Sequence, residues 1–294
     1  DTPAAGIYLL HSVSRCIIMD KKSGTRCITR TYGFIGTGNM GGALARALVR
    51  KVSPLDVYLN NRTPAKAEAL AAELGARTDT AAHIAAACDY IFLGVKPNLI
   101  AGVLAQLAPT LAQRTDKPVL VSMAAGVTIA ALEQAAPGCP ILRIMPNTAC
   151  AVGAGLTLYD ANALLTKPQL DAFLADMAAS GRLEALPEHL IDAGSAVAGC
   201  GGAFACLFME SLADGAVTCG LPRDKANTFA AQMLLGAARL ALESGKPFGQ
   251  MKDEICSPGG TTIAGVRALE EGGLRAAAMN AVIAAYEKTL QLKK

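Results

Sequence analysis

The sequence predicts an α/β fold: a doubly wound parallel sheet followed by an all-helical half. Three observations predict it. Short apolar runs alternate with helix-patterned segments from residue 31 to about 160. A glycine-rich turn joins the first run to the first helix. Beyond about 160 the apolar runs largely stop and helical periodicity takes over. With 294 residues the chain is long enough for two domains. The expected division is an appendage at 1–30, a sheet domain at 31–160 and a helical domain at 161–294.

The first thirty residues read unlike the rest. Apolar runs at 6–10 and 16–19 are broken by His11, Arg15 and a basic stretch at 20–30. A secretory signal would place positive charge first, an unbroken apolar core next and small residues last; that order is absent. The segment is expected to be a weakly structured appendage and is given no role. From residue 31 the pattern is regular: a strand at 31–35, a helix at 41–51, a strand at 55–59 and a helix at 64–74. Strands at 90–95, 119–122 and 141–144 follow, with helical segments between them. The helical half reads as 168–180, 188–220, 222–244 and 261–292, separated by Gly, Pro or Ser.

Composition excludes several classes. Lys and Arg total 27 against 24 Asp and Glu, a net charge of +3, too small and too evenly spread to imply nucleic acid or an anionic membrane. At 52% hydrophobic and 17% charged residues the chain can bury a large core, which excludes global disorder. Long uncharged stretches such as 118–132 and 193–209 fall short of the roughly 20 apolar residues a bilayer needs, so a soluble protein is expected. Nine cysteines occur without a C-x-x-C pair, and only three histidines accompany them. No metal site is expected, and unpaired thiols suit the reducing cytoplasm.

The turn after the first strand carries Gly36-Thr37-Gly38-Asn39-Met40-Gly41, a G-x-G-x-x-G between strand and helix. Gly36 permits the tight turn, Gly38 lets backbone approach a pyrophosphate, and Gly41 lets the helix pack on the strand. The phosphate then sits at the positive helix N-terminus. In this context the motif is the fingerprint of a Rossmann-type dinucleotide site. The second strand ends in Asn60-Asn61-Arg62-Thr63, without the carboxylate that accepts from the ribose of NAD. Arg62 can pair with a 2′-phosphate while Asn61 and Thr63 hydrogen-bond it, so NADPH is favoured and NADH is possible. A polar turn with a solvated arginine would read the same. Val95-Lys96-Pro97 closes a later strand at its carboxyl end, where ligands bind in such sheets. Lys96 is either a cofactor contact or a solvated loop cation.

Near the carboxyl terminus, Ser257-Pro258-Gly259-Gly260-Thr261-Thr262 leads directly into an apolar helix. Free backbone N–H groups flanked by hydroxyls would trap a carboxylate; an ordinary helix start after a turn reads the same way.

Together these stretches resemble the pyrroline-5-carboxylate reductase family. The resemblance covers about 31–293 and rests on Gly-Phe-Ile-Gly-Thr-Gly-Asn-Met at 33–40, Val-Lys-Pro at 95–97 and Ala-Ala-Gly-Val at 124–127. It also rests on Met-Pro-Asn-Thr at 145–148, Leu-Ala-Asp-Gly at 212–215, Gly-Leu-Pro at 220–222 and Ser-Pro-Gly-Gly-Thr-Thr at 257–262. It implies hydride delivery from NAD(P)H to the C=N carbon of 1-pyrroline-5-carboxylate, giving L-proline in the last step of its biosynthesis. It implies that Ser257, Gly260, Thr261 and Thr262 hold the substrate, with Ser257 and Thr262 as catalytic residues and Thr262 at the imine nitrogen. It implies that Glu188 is an acid near the substrate, and that Ala124 and Ala125 join 36–41, 61–63 and 95–97 around the cofactor. The family's helical domain forms an intertwined homodimer with active sites at the interface, and dimers often assemble further.

The chemistry agrees. Imine reduction needs a placed hydride and a proton on nitrogen that water or the iminium itself supplies, so no strong general acid is demanded. A hydroxy-acid dehydrogenase would want a His or Lys beside its substrate. The histidines are only His11, His83 and His189, and 193–220 contains no lysine. Three departures from the family stand out. Ala198-Gly199-Cys200-Gly201-Gly202-Ala203-Phe204 replaces Ser-Gly-Ser-Gly-Pro-Ala-Tyr, Glu254 stands where many members have Asn, and Ala149 replaces a proline. They leave two alternatives: a reductase of another cyclic imine or a keto acid, and a non-catalytic NADP-binding relative.

Overall fold

The computed structural model describes residues 17–19, 26–28 and 30–292. Within the expected appendage, β1 (Ile17–Met19) and β2 (Arg26–Ile28) pair antiparallel with Ile17 opposite Ile28; the remainder of 1–29 lies outside the described residues. Arg30 belongs to the domain that follows. Its Nε and Nη2 donate to Asp176 Oδ2 and Oδ1 at 2.8 and 3.0 Å, and the Tyr32 hydroxyl donates to the same carboxylate.

The apolar runs form strands because β-branched and aromatic side chains fit a surface buried on both faces. In chain order these are β3 (Tyr32–Ile35), β4 (Val57–Asn60), β5 (Arg77–Thr78), β6 (Tyr90–Leu93), β7 (Val119–Ser122), β8 (Ile141–Met145), β9 (Gly155–Ala161) and β10 (Gly181–Ala185). Their spatial order is β10-β9-β8-β7-β6-β3-β4-β5. All neighbours run parallel except β8 and β9. The order reverses between β3 and β6, the switch point where an open sheet of this kind opens a crevice.

Helices cover both faces. α1 (Asn39–Leu48), α2 (Pro64–Leu74) and α6 (Lys167–Met177) pack on one face through Leu44, Leu48, Leu70 and Phe173. α3 (Ala81–Ala87), α4 (Ile100–Gln113) and α5 (Ile129–Ala135) pack on the other through Ile84, Leu104 and Leu132. Phe34 and Phe92 stack at the centre with ring centroids 4.3 Å apart. Each such buried side chain contributes about 1.5–3 kcal/mol.

Two expectations are corrected. The strands do not stop near 160: β9 turns back antiparallel on β8, and β10 adds parallel to β9. They escaped detection because 181–185, Gly-Arg-Leu-Glu-Ala, is largely exposed and lacks an apolar run. The division into two units therefore falls between Ile191 and Asp192 rather than at 160. The two-residue edge strand β5 was also below the reach of periodicity.

The second unit is helical: the end of α7 (Glu188–Ala198), then α8 (Gly201–Thr218), α9 (Arg223–Ser244), α10 (Phe248–Ile255), α11 (Thr261–Glu271) and α12 (Leu274–Leu292). The long expected helices break at Gly199 and Cys200 and at Gly272 and Gly273. The stretch Glu188–Thr218 is long and apolar enough by composition to cross a membrane, a length the sequence reading did not find. The break divides it into helices of 11 and 18 residues. α8 and α9 approach through Ala213, Ala226 and Ala230; with Ala196 of α7 these are the buried apolar residues described in this unit. Leu207, Phe229, Leu242, Phe248 and Met279 are more than half exposed on the single chain.

Candidate active site

The glycine turn lies at the switch point. Gly36 N donates to Asn60 O at 2.8 Å and Gly94 N to Ile35 O at 2.9 Å, tying together the carboxyl ends of β3, β4 and β6. Gly36 has φ +102°, and a Cβ there would meet Gly94 O at 2.6 Å; one at Gly41 would meet Gly36 O at 2.3 Å. These two glycines are demanded by the fold itself. Gly38 is different: a Cβ there would meet no protein atom within 4 Å. The space is open, as backbone approach to a ligand requires. Beside it the buried Thr37 Oγ1 has no hydrogen-bond partner among the described residues, and the N-terminus of α1 has no side-chain cap. An orphaned hydroxyl, an uncapped helix start and an open place over Gly38 fit a dinucleotide's diphosphate.

The cations around this turn fall into two kinds. Arg46 is held by Glu73 through two bonds of 2.7 and 2.6 Å. Arg62, Lys66 and Lys96 are exposed and have neither an ion pair nor a side-chain hydrogen bond among the described residues. Lys66, the third residue of α2, lines a cavity of about 380 Å³ with Thr37, Gly38 and Asn39. The sequence reading missed it, because nothing in its spacing sets it apart from an ordinary solvated lysine in a first helical turn. Asn61 is half-buried and Thr63, at the start of α2, makes no side-chain cap. Val95 is half-buried and Pro97 exposed, beyond β6; Ala124 is buried and Ala125 exposed, beyond β7. The expected cofactor residues thus all lie at carboxyl ends of β3, β4, β6 and β7 or at the start of the helices that follow.

Glu188 opens α7. Its Oε1 accepts from Arg143 Nη1 at 3.0 Å and from the N–H of Ile129, the first residue of α5, at 2.7 Å. The sequence reading overlooked Arg143, although a charge inside the run Ile-Leu-Arg-Ile-Met was a legible signal.

In the second unit, Ser257, Thr261 and Thr262 are exposed and Gly260 is the uncapped N-cap of α11. Gly260 N donates to Ser257 O at 3.0 Å, closing the turn. Gly259 adopts φ +67°. The hydroxyls of Ser257, Thr261 and Thr262 make no hydrogen bond among the described residues. The arrangement leaves an uncapped helix start ringed by free hydroxyls, which suits an anionic carboxylate. Glu254 is paired: Lys246 Nζ donates to both its oxygens at 2.9 Å and Gln250 to one at 3.0 Å. The Lys246 ammonium holds its carboxyl below the usual range. Where the family's serines are replaced, Cys200 caps α8 without a side-chain bond.

A sheet whose strands run parallel in the order β5-β4-β3-β6-β7-β8, with this turn at the switch point between β3 and β6, defines a dinucleotide-dependent oxidoreductase. Residues 31–126 match the family described as NADP oxidoreductase coenzyme F420-dependent, and 188–292 match pyrroline-5-carboxylate reductase dimerisation. The chain is 39% identical to pyrroline-5-carboxylate reductase of Escherichia coli over 269 residues, covering 90% of this chain and 99% of that one. It is 36% identical to pyrroline-5-carboxylate reductase 3 of Macaca fascicularis, covering 90% and 97%. Among solved structures, a pyrroline-5-carboxylate reductase from Coxiella burnetii matches with a TM-score of 0.81 and 32% identity over 90% of this chain and 99% of that one. A pyrroline carboxylate reductase from Plasmodium falciparum with NADP bound matches with a TM-score of 0.79 and 29% identity, covering 90% and 98%. The chain belongs to the pyrroline-5-carboxylate reductase family.

Proposed function

We propose that the protein reduces 1-pyrroline-5-carboxylate to L-proline with NADPH, acting as a homo-oligomer built through its helical half. The observation that carries this reading is the conjunction, in a chain of this family, of an open glycine turn with an uncapped, hydroxyl-ringed start to α11. The nicotinamide supplies the hydride. Gly36, Thr37, Gly38, Asn39, Met40 and Gly41 bind the diphosphate, and Asn61, Arg62 and Thr63 read the 2′-phosphate. The absence of a carboxylate at the end of β4 and the uncommitted Arg62 support NADPH over NADH. Val95, Lys96, Pro97, Ala124 and Ala125 line the remainder of the cofactor.

Ser257, Gly260 and Thr261 hold the substrate carboxylate with backbone N–H and hydroxyl groups. Thr262, the second residue of α11, donates to the ring nitrogen of the neutral imine, and Glu188 accepts the single N–H of the iminium. The iminium already carries its proton, so these groups orient the C=N carbon and no general acid is required; their contribution is placement. Unbridged thiols at the seven described cysteines support a reducing cytoplasmic setting.

The test is loss of NADPH absorbance on adding pyrroline-5-carboxylate, with NADH in parallel and proline measured as product. Rapid substrate-dependent oxidation with proline formed is expected. A protein that binds NADPH yet makes no proline would overturn the reading and direct attention to 198–204.

A further inference from the structure

Arg143 is the largest fully buried side chain among the described residues. It lies in the middle of β8, where Ile141 packs with the α3–α4–α5 face while Leu142 and Ile144 pack with the opposite one. Strand alternation therefore places Arg143 on the α5 side. A buried ion pair is a poor device for stability alone. The pair instead fixes a geometry. Arg143 Nη1 and Ile129 N converge on Glu188 Oε1 at 3.0 and 2.7 Å, and the backbone N–H of Glu188 donates to Asp160 Oδ2 at 2.6 Å. β8, β9 and α5 thus each hold the first residue of α7. Glu188 Oε2 receives no hydrogen bond from any described residue, and the Glu188 side chain is 28% exposed. One oxygen is anchored and the other is presented. Its neighbour Ile129 ends the segment that carries Ala124 and Ala125 out of β7, so the presented oxygen lies beside the cofactor-lining loop.

We propose that Arg143 is a positioning residue: it fixes the angle of the Glu188 carboxylate so that Oε2 accepts from the protonated ring nitrogen of a cyclic imino acid. The inference rests on the reading that Glu188 meets the substrate. A planar guanidinium sets that angle where an ammonium would not.

The test is steady-state kinetics of the full chain with NADPH and pyrroline-5-carboxylate, for Arg143→Met, Arg143→Lys, Glu188→Gln and the Arg143→Met/Glu188→Gln pair, alongside melting curves. Arg143→Met and Glu188→Gln are each expected to lower kcat/KM for the imino acid about tenfold to a hundredfold, the scale of a small misplacement at a reacting centre. KM for NADPH should stay within about twofold, and the double variant should be no worse than Glu188→Gln, because the two act as one unit. Arg143→Lys keeps the charge, so it carries the test should the Met variant not fold; an intermediate loss of about threefold to tenfold is expected from the missing fork. Wild-type imino-acid kinetics in a folded Arg143 variant, or additive losses in the double variant, would overturn the proposal. If Glu188→Gln turns over like wild type, the underlying reading of Glu188 fails instead. An impaired Glu188→Gln beside unimpaired Arg143 variants sinks the positioning role alone.

Discussion

The two units solve the problem of burial in different ways. The sheet unit encloses two apolar layers of its own, with Phe34, Leu44, Phe92, Leu104 and Phe173 wholly or almost wholly out of water. The helical unit buries little beyond Ala213, Ala226 and Ala230, while Leu242 and Phe248 remain 76% and 80% exposed on the single chain. Single exposed apolar residues are ordinary, but a whole helical unit without its own core needs a partner surface. A unit matching a dimerisation family and bearing this surface finds its core in a second copy. The comparison teaches that the first unit is specified by its own sequence and the second by its sequence twice over.

The largest expected effect breaks the second arrangement. Phe204, Leu207, Phe208 and Leu274 line an apolar groove between α8 and α12. Leu207→Asp should convert the oligomer to monomer and abolish turnover, read by light scattering and by activity, while NADPH binding to the sheet unit persists. An oligomer that survives this change would break the comparison. Next comes Phe92→Ala, expected to cost about 3–5 kcal/mol of stability in denaturant unfolding without changing the oligomeric state of the folded fraction. A destabilisation below about 1 kcal/mol would show that the sheet core is not the closed unit described.

A smaller effect concerns the cofactor. Arg62→Ala should weaken NADPH binding by about 1.5–3 kcal/mol, the scale of hydrogen bonds to a charged group, and leave NADH nearly unmoved. Equal losses for both would show that Arg62 does not read the 2′-phosphate. The smallest effect sharpens the contrast at the level of thiols. Burial pushes the Cys88 thiol up to about 12, so raising the pH from about 7 to about 9 should leave it unalkylated in the folded protein. The exposed Cys219 should be alkylated readily under the same conditions. Because the Cys88 pKa is raised on folding, the stability it contributes is complete below the ordinary thiol range. It is lost as pH climbs from there towards 12. Ready labelling of Cys88 at pH 9 under native conditions would contradict this burial.

Much of this was legible in the residues, for identifiable reasons. β3, β6 and β7 are apolar runs buried on both faces, β8 is one interrupted only by Arg143, and the glycine turn carries its meaning in spacing. β10 was not legible: its exposed Arg182 and Glu184 pair with each other at the sheet edge, so no apolar run marks the strand. The breaks at Gly199 and Gly272 were hidden by surrounding alanine, which favours helix whatever the tertiary path. At the candidate site, Ser257 and Thr262 were singled out through their motif. Arg143 and Lys66 were not, because their significance lies in which partner each has or lacks, and that is a property of three dimensions.

The open place above Gly38 has a genetic consequence. A Gly38→Ala chain meets no protein atom with its new methyl group, so it folds normally but fills the room a diphosphate would take. Its helical unit is untouched and still seeks a second copy. Expressed beside the intact chain, it would enter mixed assemblies, so the allele would lower activity in proportion to its share of subunits. A Gly36→Ala allele, whose new methyl group meets Gly94 O, would contribute fewer folded subunits to those assemblies.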